Sequence, residues 1–93
     1  MQITLSSRIR VKEEVAFRDL DGEAVLLNLE TGVYFGLDGV GTRIWHLIGE
    51  HGSPEKVLDI LLDEYEVDEE RCRNDLLEIL EQMNEKGLIE IVG

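Results

Sequence analysis

The side chains that most often bind metals are few in this sequence, and their spacing does not fit a metal site. His46 and His51 are the only histidines, and they stand five residues apart around the end of a predicted helix. A zinc site on a helix needs a spacing nearer four residues and at least one further ligand. We therefore interpret both histidines as solvent-facing or half-buried side chains, and we expect no metal.

Three glycines between a predicted strand and a predicted helix, Gly36, Gly39 and Gly41, suggest a phosphate-binding loop. However, Ile44 stands where a dinucleotide fingerprint has its third glycine, and no P-loop lysine follows. Turn and capping roles account for these glycines. The many acidic residues fall on predicted solvated helix faces, whereas general acid–base catalysis needs carboxylates in a water-poor pocket. The sequence therefore predicts a protein without cofactor or enzymatic activity.

Cys72 is the single cysteine, so it forms neither an internal disulfide nor a cysteine zinc site. It falls on the apolar stripe of a predicted helix, where a buried thiol behaves as a small hydrophobic group with a raised pKa. Its place near the N-terminus of that helix leaves a reactive thiol as the alternative interpretation.

The elements that must position these side chains follow two periodicities, which divide the chain near residue 38. The first part predicts three strands, at residues 15–18, 23–28 and 33–37, that form an antiparallel meander. Asp21-Gly22 and Gly32 mark the two tight turns. Because a sheet of this size is too small to stand alone, it must pack against the rest of the chain.

The second part predicts three helices and a short strand. Asp38 caps the first helix, and Ser53-Pro54-Glu55 is a strong start signal for the second. Asp68 begins the third helix and Gly87 ends it, after which residues 88–92 form a last edge strand. The three strands, three helices and final strand predict an α+β fold, similar to a small winged helix-turn-helix domain. We expect one domain over residues 1–93, with 1–12 as a flexible extension.

The negative net charge argues against partners that are themselves polyanions. The 93 residues carry 9 bases and 21 acids, a net charge of −12, and residues 50–93 alone contribute 4 − 14 = −10. A polyanion is repelled by such a surface, so neither nucleic acid nor a phosphate-rich ligand is expected as a partner. The N-terminus lacks a signal-peptide core, and no apolar run approaches the ~20 residues that span a bilayer. We expect a cytoplasmic, reducing setting.

The third predicted strand is the most informative segment. It consists of Val33, Tyr34, Phe35, Gly36 and Leu37, and it carries none of the lysines, prolines or bulges that usually protect an exposed sheet edge. An unprotected edge beside a helix is what a peptide needs in order to bind as an added strand. The alternative is an edge covered by the chain's own termini or consumed by a homodimer.

Several of these segments together resemble one family. Asp21 to Asn28, Glu30-Thr31-Gly32-Val33-Tyr34, Ile44-Trp45-His46-Leu47 and Gly87-Leu88-Ile89 are similar to the coenzyme PQQ synthesis protein D (PqqD) family. The similarity extends from about Val15 to Ile89. Members of that family are peptide chaperones, also called RiPP recognition elements, in pathways for ribosomally made, post-translationally modified peptides.

The resemblance implies a function and a site. It implies that the leader of a precursor peptide binds as a strand beside residues 33–37, in a groove closed by the third helix over residues 71–83. The helix residues assigned to that wall are Arg71, Cys72, Asp75, Leu76 and Ile79. The bound peptide would then be presented to a modifying enzyme, such as a radical SAM protein. The alternative function is a homodimerising accessory subunit of a maturation enzyme that uses the same sheet edge.

Overall fold

The computed structural model describes residues 3–21 and 23–92. The strands and helices follow the order that the sequence predicts, with one additional strand at the N-terminal end. The elements are β1 (Arg8–Val11), β2 (Val15–Leu20), β3 (Glu23–Asn28), β4 (Tyr34–Leu37), α1 (Gly39–His51), α2 (Pro54–Glu64), α3 (Glu69–Glu85) and β5 (Ile89–Val92). The α+β fold with an N-terminal three-stranded sheet, three helices and a C-terminal strand is confirmed.

The strands form two separate sheets. β2, β3 and β4 make an antiparallel sheet in that order, and β1 pairs with β5 in a two-stranded sheet. In the larger sheet Phe17 lies opposite Leu26, which lies opposite Phe35. Asp21 in the β2–β3 turn has a positive φ of 54°, as a tight hairpin turn requires. Its predicted partner, Gly22, lies outside the described residues.

Strand β1 places residues 8–11 in a sheet, whereas the sequence predicts a flexible extension over residues 1–12. It is antiparallel to β5, with Ile9 opposite Ile91. Ile9 is buried, and its N–H donates to the Gly52 carbonyl at 2.8 Å. The sequence gives no local sign of this strand because its partner lies about 80 residues away and no hairpin turn joins the two. A long-range pairing of this kind is decided by tertiary packing.

The three helices start where the sequence predicts, each after a residue whose side chain caps it. Asp38 accepts a hydrogen bond from the Gly41 N–H at 2.7 Å, Ser53 from Lys56 N–H at 3.2 Å and Asp68 from Arg71 N–H at 3.1 Å. Each satisfies one of the backbone donors that a helix start leaves without a partner. Gly52 ends α1 in the left-handed conformation, with φ of 68°.

One hydrophobic core joins the two sheets and the helices. Its most buried side chains include Leu26 of β3, Ile48 of α1, and Leu80 and Met83 of α3. The inner face of the larger sheet packs on this core, so the opposite face of that sheet is directed to solvent. Within the described ranges, no helix combines the length and the apolar character that crossing a bilayer requires.

Candidate functional site

The outer edge of β4 is open. β4 pairs with β3 on one side, and no other strand of the described residues lies on its other side. The sequence left open whether a terminal strand covers this edge, and β1 and β5 pair with each other instead. An open edge strand is a template for pairing with another chain.

The pairing of β4 with β3 determines which backbone groups point outward. The Asn28 N–H donates to the Val33 carbonyl at 2.8 Å, which makes residues 28 and 33 a hydrogen-bonded pair. Hydrogen-bonded and non-hydrogen-bonded pairs alternate along antiparallel strands, so Phe35 and Leu37 also bond to β3. The N–H and C=O groups of Tyr34 and Gly36 therefore point away from β3. These four groups can pair with an added strand.

The side chains of β4 alternate between the two faces of the sheet. Leu37 is 5% exposed and faces the core, with the half-buried Phe35 on the same face, whereas Tyr34 is 71% exposed on the opposite face. Of the two neighbouring aromatic residues, Phe35 therefore faces the helices and Tyr34 faces solvent.

Helix α3 approaches β4 where α1 begins. A Cβ atom built at Gly41 would lie 3.2 Å from Leu37 Cδ2 and 3.3 Å from Ile79 Cδ1, so the strand, α1 and α3 converge at this glycine. Lys86, just after α3, has its Nζ 6.0 Å from the centre of the Phe35 ring. Ile79 of α3, and Lys86 just after the helix, therefore lie near β4.

The buried side chain of Asn28 connects the two walls at the Lys86 end. Its Nδ2 donates to the Gly87 carbonyl at 2.8 Å, in the turn that follows α3. Its Oδ1 accepts from the N–H groups of Glu30 and Thr31, at 2.9 and 3.0 Å, in the turn that precedes β4. One amide thus links the end of α3 to the start of β4.

A mostly apolar cavity of about 210 Å³ lies beside the other half of α3. It is enclosed by the start of α1, the end of α2, the segment between α2 and α3, and the first turns of α3. Its lining residues are Val40, Ile44, Leu61, Tyr65, Val67, Arg71, Cys72, Asp75 and Leu76. Val40 follows Leu37 by three residues, so one wall of the cavity lies just past the C-terminal end of β4 in the chain.

The structure separates the predicted site residues into two groups. Arg71, Cys72, Asp75 and Leu76 meet in the cavity, whereas the residues of the 33–37 segment form the edge. Ile79 lies between the two groups, near Leu37. Leu76 is 1% exposed, so its side chain forms the floor of the cavity.

Sequence reasoning missed five residues of the cavity wall: Val40, Ile44, Leu61, Tyr65 and Val67. Three of these five are exposed to solvent. Val40, Tyr65 and Val67 are 48%, 40% and 50% exposed, which is unusual for apolar side chains that surround one cavity. Val40 lies in the first turn of α1, and Tyr65 follows α2 as its C-terminal cap. The available signal was the pair Tyr65 and Val67, two apolar residues in the short acidic connection between α2 and α3.

The polar groups of the cavity lie at its rim. Arg71 Nε is 4.0 Å from Asp75 Oδ2, and both side chains are mostly exposed. Burial of the Cys72 thiol, and secondarily the charge of Asp75, raise its pKa above the ordinary value. Cys72 is therefore a thiol at neutral pH, in agreement with its interpretation as a small hydrophobic group.

An ion pair joins α1 to the end of α2. The Arg43 guanidinium binds both carboxylate oxygens of Glu64, with Nε 3.0 Å from Oε1. This hydrogen bonding lowers the pKa of Glu64 and raises the pKa of Arg43. Glu64 is the residue before Tyr65, so the pair helps to hold the end of α2 against α1.

The residues that the structure describes contain no group of three or more side chains suited to binding a metal ion. His46 is exposed on α1, and its ring packs against that of Phe17, with 4.8 Å between the ring centres. The interpretation of this histidine as a solvent-facing side chain is confirmed. What the site offers is backbone hydrogen bonding along β4 and apolar surface beside α3.

Comparison with known proteins assigns this chain to a family. The family model described as coenzyme PQQ synthesis protein D (PqqD) matches residues 23–89, which include β3, β4, the three helices and the start of β5. No curated protein matches the chain.

Two solved structures share the fold. "TbiB1 in Complex with the TbiA(beta) Leader Peptide" is 42% identical, with a TM-score of 0.79, over 87% of this chain and 94% of that one. "Lasso peptide synthetase B1 complexed with the leader peptide" is 25% identical, with a TM-score of 0.80, over 89% of this chain and 98% of that one. In both cases the similar protein was solved with a leader peptide.

Proposed function

Since the chain belongs to the coenzyme PQQ synthesis protein D (PqqD) family, we propose that it is a non-catalytic peptide chaperone. It binds the leader of a ribosomally made precursor peptide and presents that precursor to a modifying enzyme. The observation that carries the proposal is the open edge of β4 beside α3. Both similar solved structures hold a leader peptide, which favours a peptide over a second copy of this chain at the edge.

The leader binds as a strand along β4. Its backbone pairs with the N–H and C=O groups of Tyr34 and Gly36, and its side chains on the inner face lie between β4 and α3. A leader that continues past Leu37 reaches the cavity, where Cys72 and Leu76 offer apolar surface. Arg71, Asp75 and Ile79 complete the binding wall of α3.

Free energies indicate what must carry the affinity. Ordering five leader residues costs roughly 5–10 kcal/mol, at about 1–2 kcal/mol each. Hydrogen bonds to the four edge groups contribute a net ~1 kcal/mol each and do not offset this cost. Two or three apolar leader side chains must therefore be buried, at roughly 1.5–3 kcal/mol each. Backbone hydrogen bonds to β4 set the register of the leader, and the fit of its apolar side chains in the cavity determines which leader binds.

The modifying enzyme belongs to the same pathway as the leader. The similarity to a protein described as lasso peptide synthetase B1 favours another lasso peptide synthetase component over the radical SAM protein suggested by the family resemblance. The leader is accordingly that of a lasso peptide precursor.

A pair of variants at Tyr34 tests strand addition. Tyr34→Pro removes an N–H that points away from β3, at the first residue of the strand, where proline is tolerated. Tyr34→Ala removes the same side chain and keeps the N–H. In calorimetric titrations with the TbiA(β) leader peptide, we expect the proline variant to bind about fivefold more weakly than the alanine variant, since one net hydrogen bond is worth ~1 kcal/mol.

Circular dichroism spectra of both variants serve as the control that each one folds. Equal affinities of the two variants would contradict pairing at this N–H. Absence of binding by the wild-type protein at millimolar peptide would contradict the proposed function itself.

A further inference from the structure

A second depression lies on the opposite face of the larger sheet, away from α3. It has a volume of about 460 Å³ and is formed by the start of β3 and the end of β4. The residues around it are Glu23, Ala24, Val25, Gly36, Leu37, Asp38 and Gly39. It is separate from the cavity beside α3, with which it shares no lining residue.

The depression exists because Gly36 has no side chain. Gly36 lies opposite Val25 on the outward face, and a Cβ atom built there would have no heavy atom within 4 Å. Residues that pair across strands place their side chains on the same face. The leader residue that pairs with Gly36 therefore projects its side chain next to this empty space.

The distance between the added strand and β3 favours a long side chain on the leader. Neighbouring strands are about 4.8 Å apart, so the added strand lies about 10 Å from β3, which carries Val25. A short side chain on the leader stops above Gly36. A side chain with several methylene groups spans the gap and packs on the half-buried Val25.

The acidic residues around the depression favour a basic side chain on the leader. Glu23 is exposed on the same face as Val25, and it forms no ion pair within the part of the chain that the structure describes. Asp38 stands at the end of β4, where one carboxylate oxygen caps α1. The basic residue of this face is Arg18, opposite Val25 on β2 and one strand farther from the leader. The backbone positions that carry the two carboxylates thus lie nearer to the leader than the strand that carries Arg18.

We propose that this depression is a second specificity subsite, which binds a lysine or arginine side chain from the leader residue that pairs with Gly36. The methylene stem lies over Gly36 and Val25, and the charged end faces Glu23, as long basic side chains do when their stems are buried. Because the subsite is completed by an added strand, the proposal rests on the proposed function.

Charge reversal on both partners tests the subsite. The probe is the TbiA(β) leader peptide with lysine or glutamate at the residue that pairs with Gly36, which amide NOEs to Gly36 identify. We expect the lysine peptide to bind wild-type protein about fivefold more tightly than the glutamate peptide, near the upper end for a partly exposed ion pair. Glu23→Lys should reverse this order.

Matched variants separate the subsite from the overall negative charge. Asp59→Asn removes one exposed carboxylate on α2 and should leave the preference for lysine unchanged. Glu23→Gln should reduce the preference to less than twofold. Gly36→Val fills the depression without a clash in the free protein, so it should keep the midpoint of thermal unfolding and also lose the preference.

The outcomes distinguish the two proposals. If wild-type protein binds neither peptide, the proposed function fails and this inference fails with it. If both peptides bind with equal affinity, or if the preference for lysine persists in Glu23→Gln, the subsite alone is overturned and strand addition stands.

Discussion

Asn28 is the buried polar residue that connects the β4 side of the site to the α3 side. It is 2% exposed at the end of β3, and its amide connects the turn before β4 to the turn after α3. A buried amide is favourable here because both its donor and its acceptor have partners. In the sequence, Asn28 is the last, polar residue of a predicted strand before a turn. Its contact with Gly87, 59 residues away, could not be predicted from that local pattern.

The first prediction concerns this amide. Asn28→Ala should lower the free energy of unfolding by about 1–3 kcal/mol, because the part-buried Gly87 carbonyl loses its side-chain donor. Asn74→Ala is the matched control, since Asn74 is exposed on α3, where alanine is neutral or slightly stabilising. Urea denaturation measures both changes. Equal stabilities of the two variants would show that Asn28 does not connect the two turns.

The second prediction concerns the pH dependence of the Cys72 thiol. Its pKa is raised, chiefly by burial and then by Asp75, so at pH 8.5 less of it is thiolate than in an unfolded chain. Because the thiolate is the reactive form, Cys72 should react with a disulfide reagent more slowly in the folded protein than in urea. Asp75→Asn should lower the pKa and speed the reaction in the folded protein.

The same thiol reports on occupancy of the cavity. Saturating TbiA(β) leader peptide should slow the reaction of Cys72 further, since the thiol lines the cavity. Reaction rates that are the same in folded and unfolded protein, or unaffected by Asp75→Asn, would contradict the described environment of Cys72.

At the scale of elements, the approach of α3 to β4 depends on one glycine. A Cβ atom at Gly41 would be 3.2 Å from Leu37 and from Asp38 and 3.3 Å from Ile79, closer than ordinary contacts. Gly49, in the same helix, would place its Cβ atom at an ordinary 3.6 Å from Val11. The two glycines therefore differ in packing and share the same helix.

The third prediction uses this pair. Gly49→Ala should stabilise the protein by about 0.5–1 kcal/mol through helix propensity. Gly41→Ala should be at least about 1 kcal/mol less stable than Gly49→Ala, because overpacking offsets that gain. It should also weaken leader binding, since the strand and α3 are pushed apart. Thermal unfolding and peptide titration measure the two effects. Equal stabilities would contradict close packing at Gly41.

Local signals explain which elements the sequence could predict. The helix caps Asp38 and Ser53, the helix start at Asp68 and the turn at Gly32 are short-range patterns, and all four are confirmed. β1 was missed because its pairing with β5 is long-range. The β4 edge could be predicted from its composition, whereas the cavity could not, because it combines residues from three helices that only tertiary packing brings together.

At the scale of the whole molecule, most of the negative charge lies outside the open edge strand β4. Of the net charge of −12, residues 50–93 contribute 4 − 14 = −10, and these residues include α2 and α3. β4 itself carries no charged side chain. An acidic leader would be repelled by α3 within a screening distance of about 8–10 Å and would have to bind through apolar side chains. The protein therefore offers a neutral strand edge next to an acidic helix wall.

Amide hydrogen exchange, with and without the TbiA(β) leader peptide, tests the central claim that the leader binds as a strand on β4. In the free protein the N–H groups of Phe35 and Leu37 bond to β3 and should exchange slowly, whereas those of Tyr34 and Gly36 should exchange fast. On saturation with the peptide, Tyr34 and Gly36 should become protected and Phe35 and Leu37 should change little. Protection that appears only on the helices, or unchanged exchange at Tyr34 and Gly36 under saturation, would contradict strand addition.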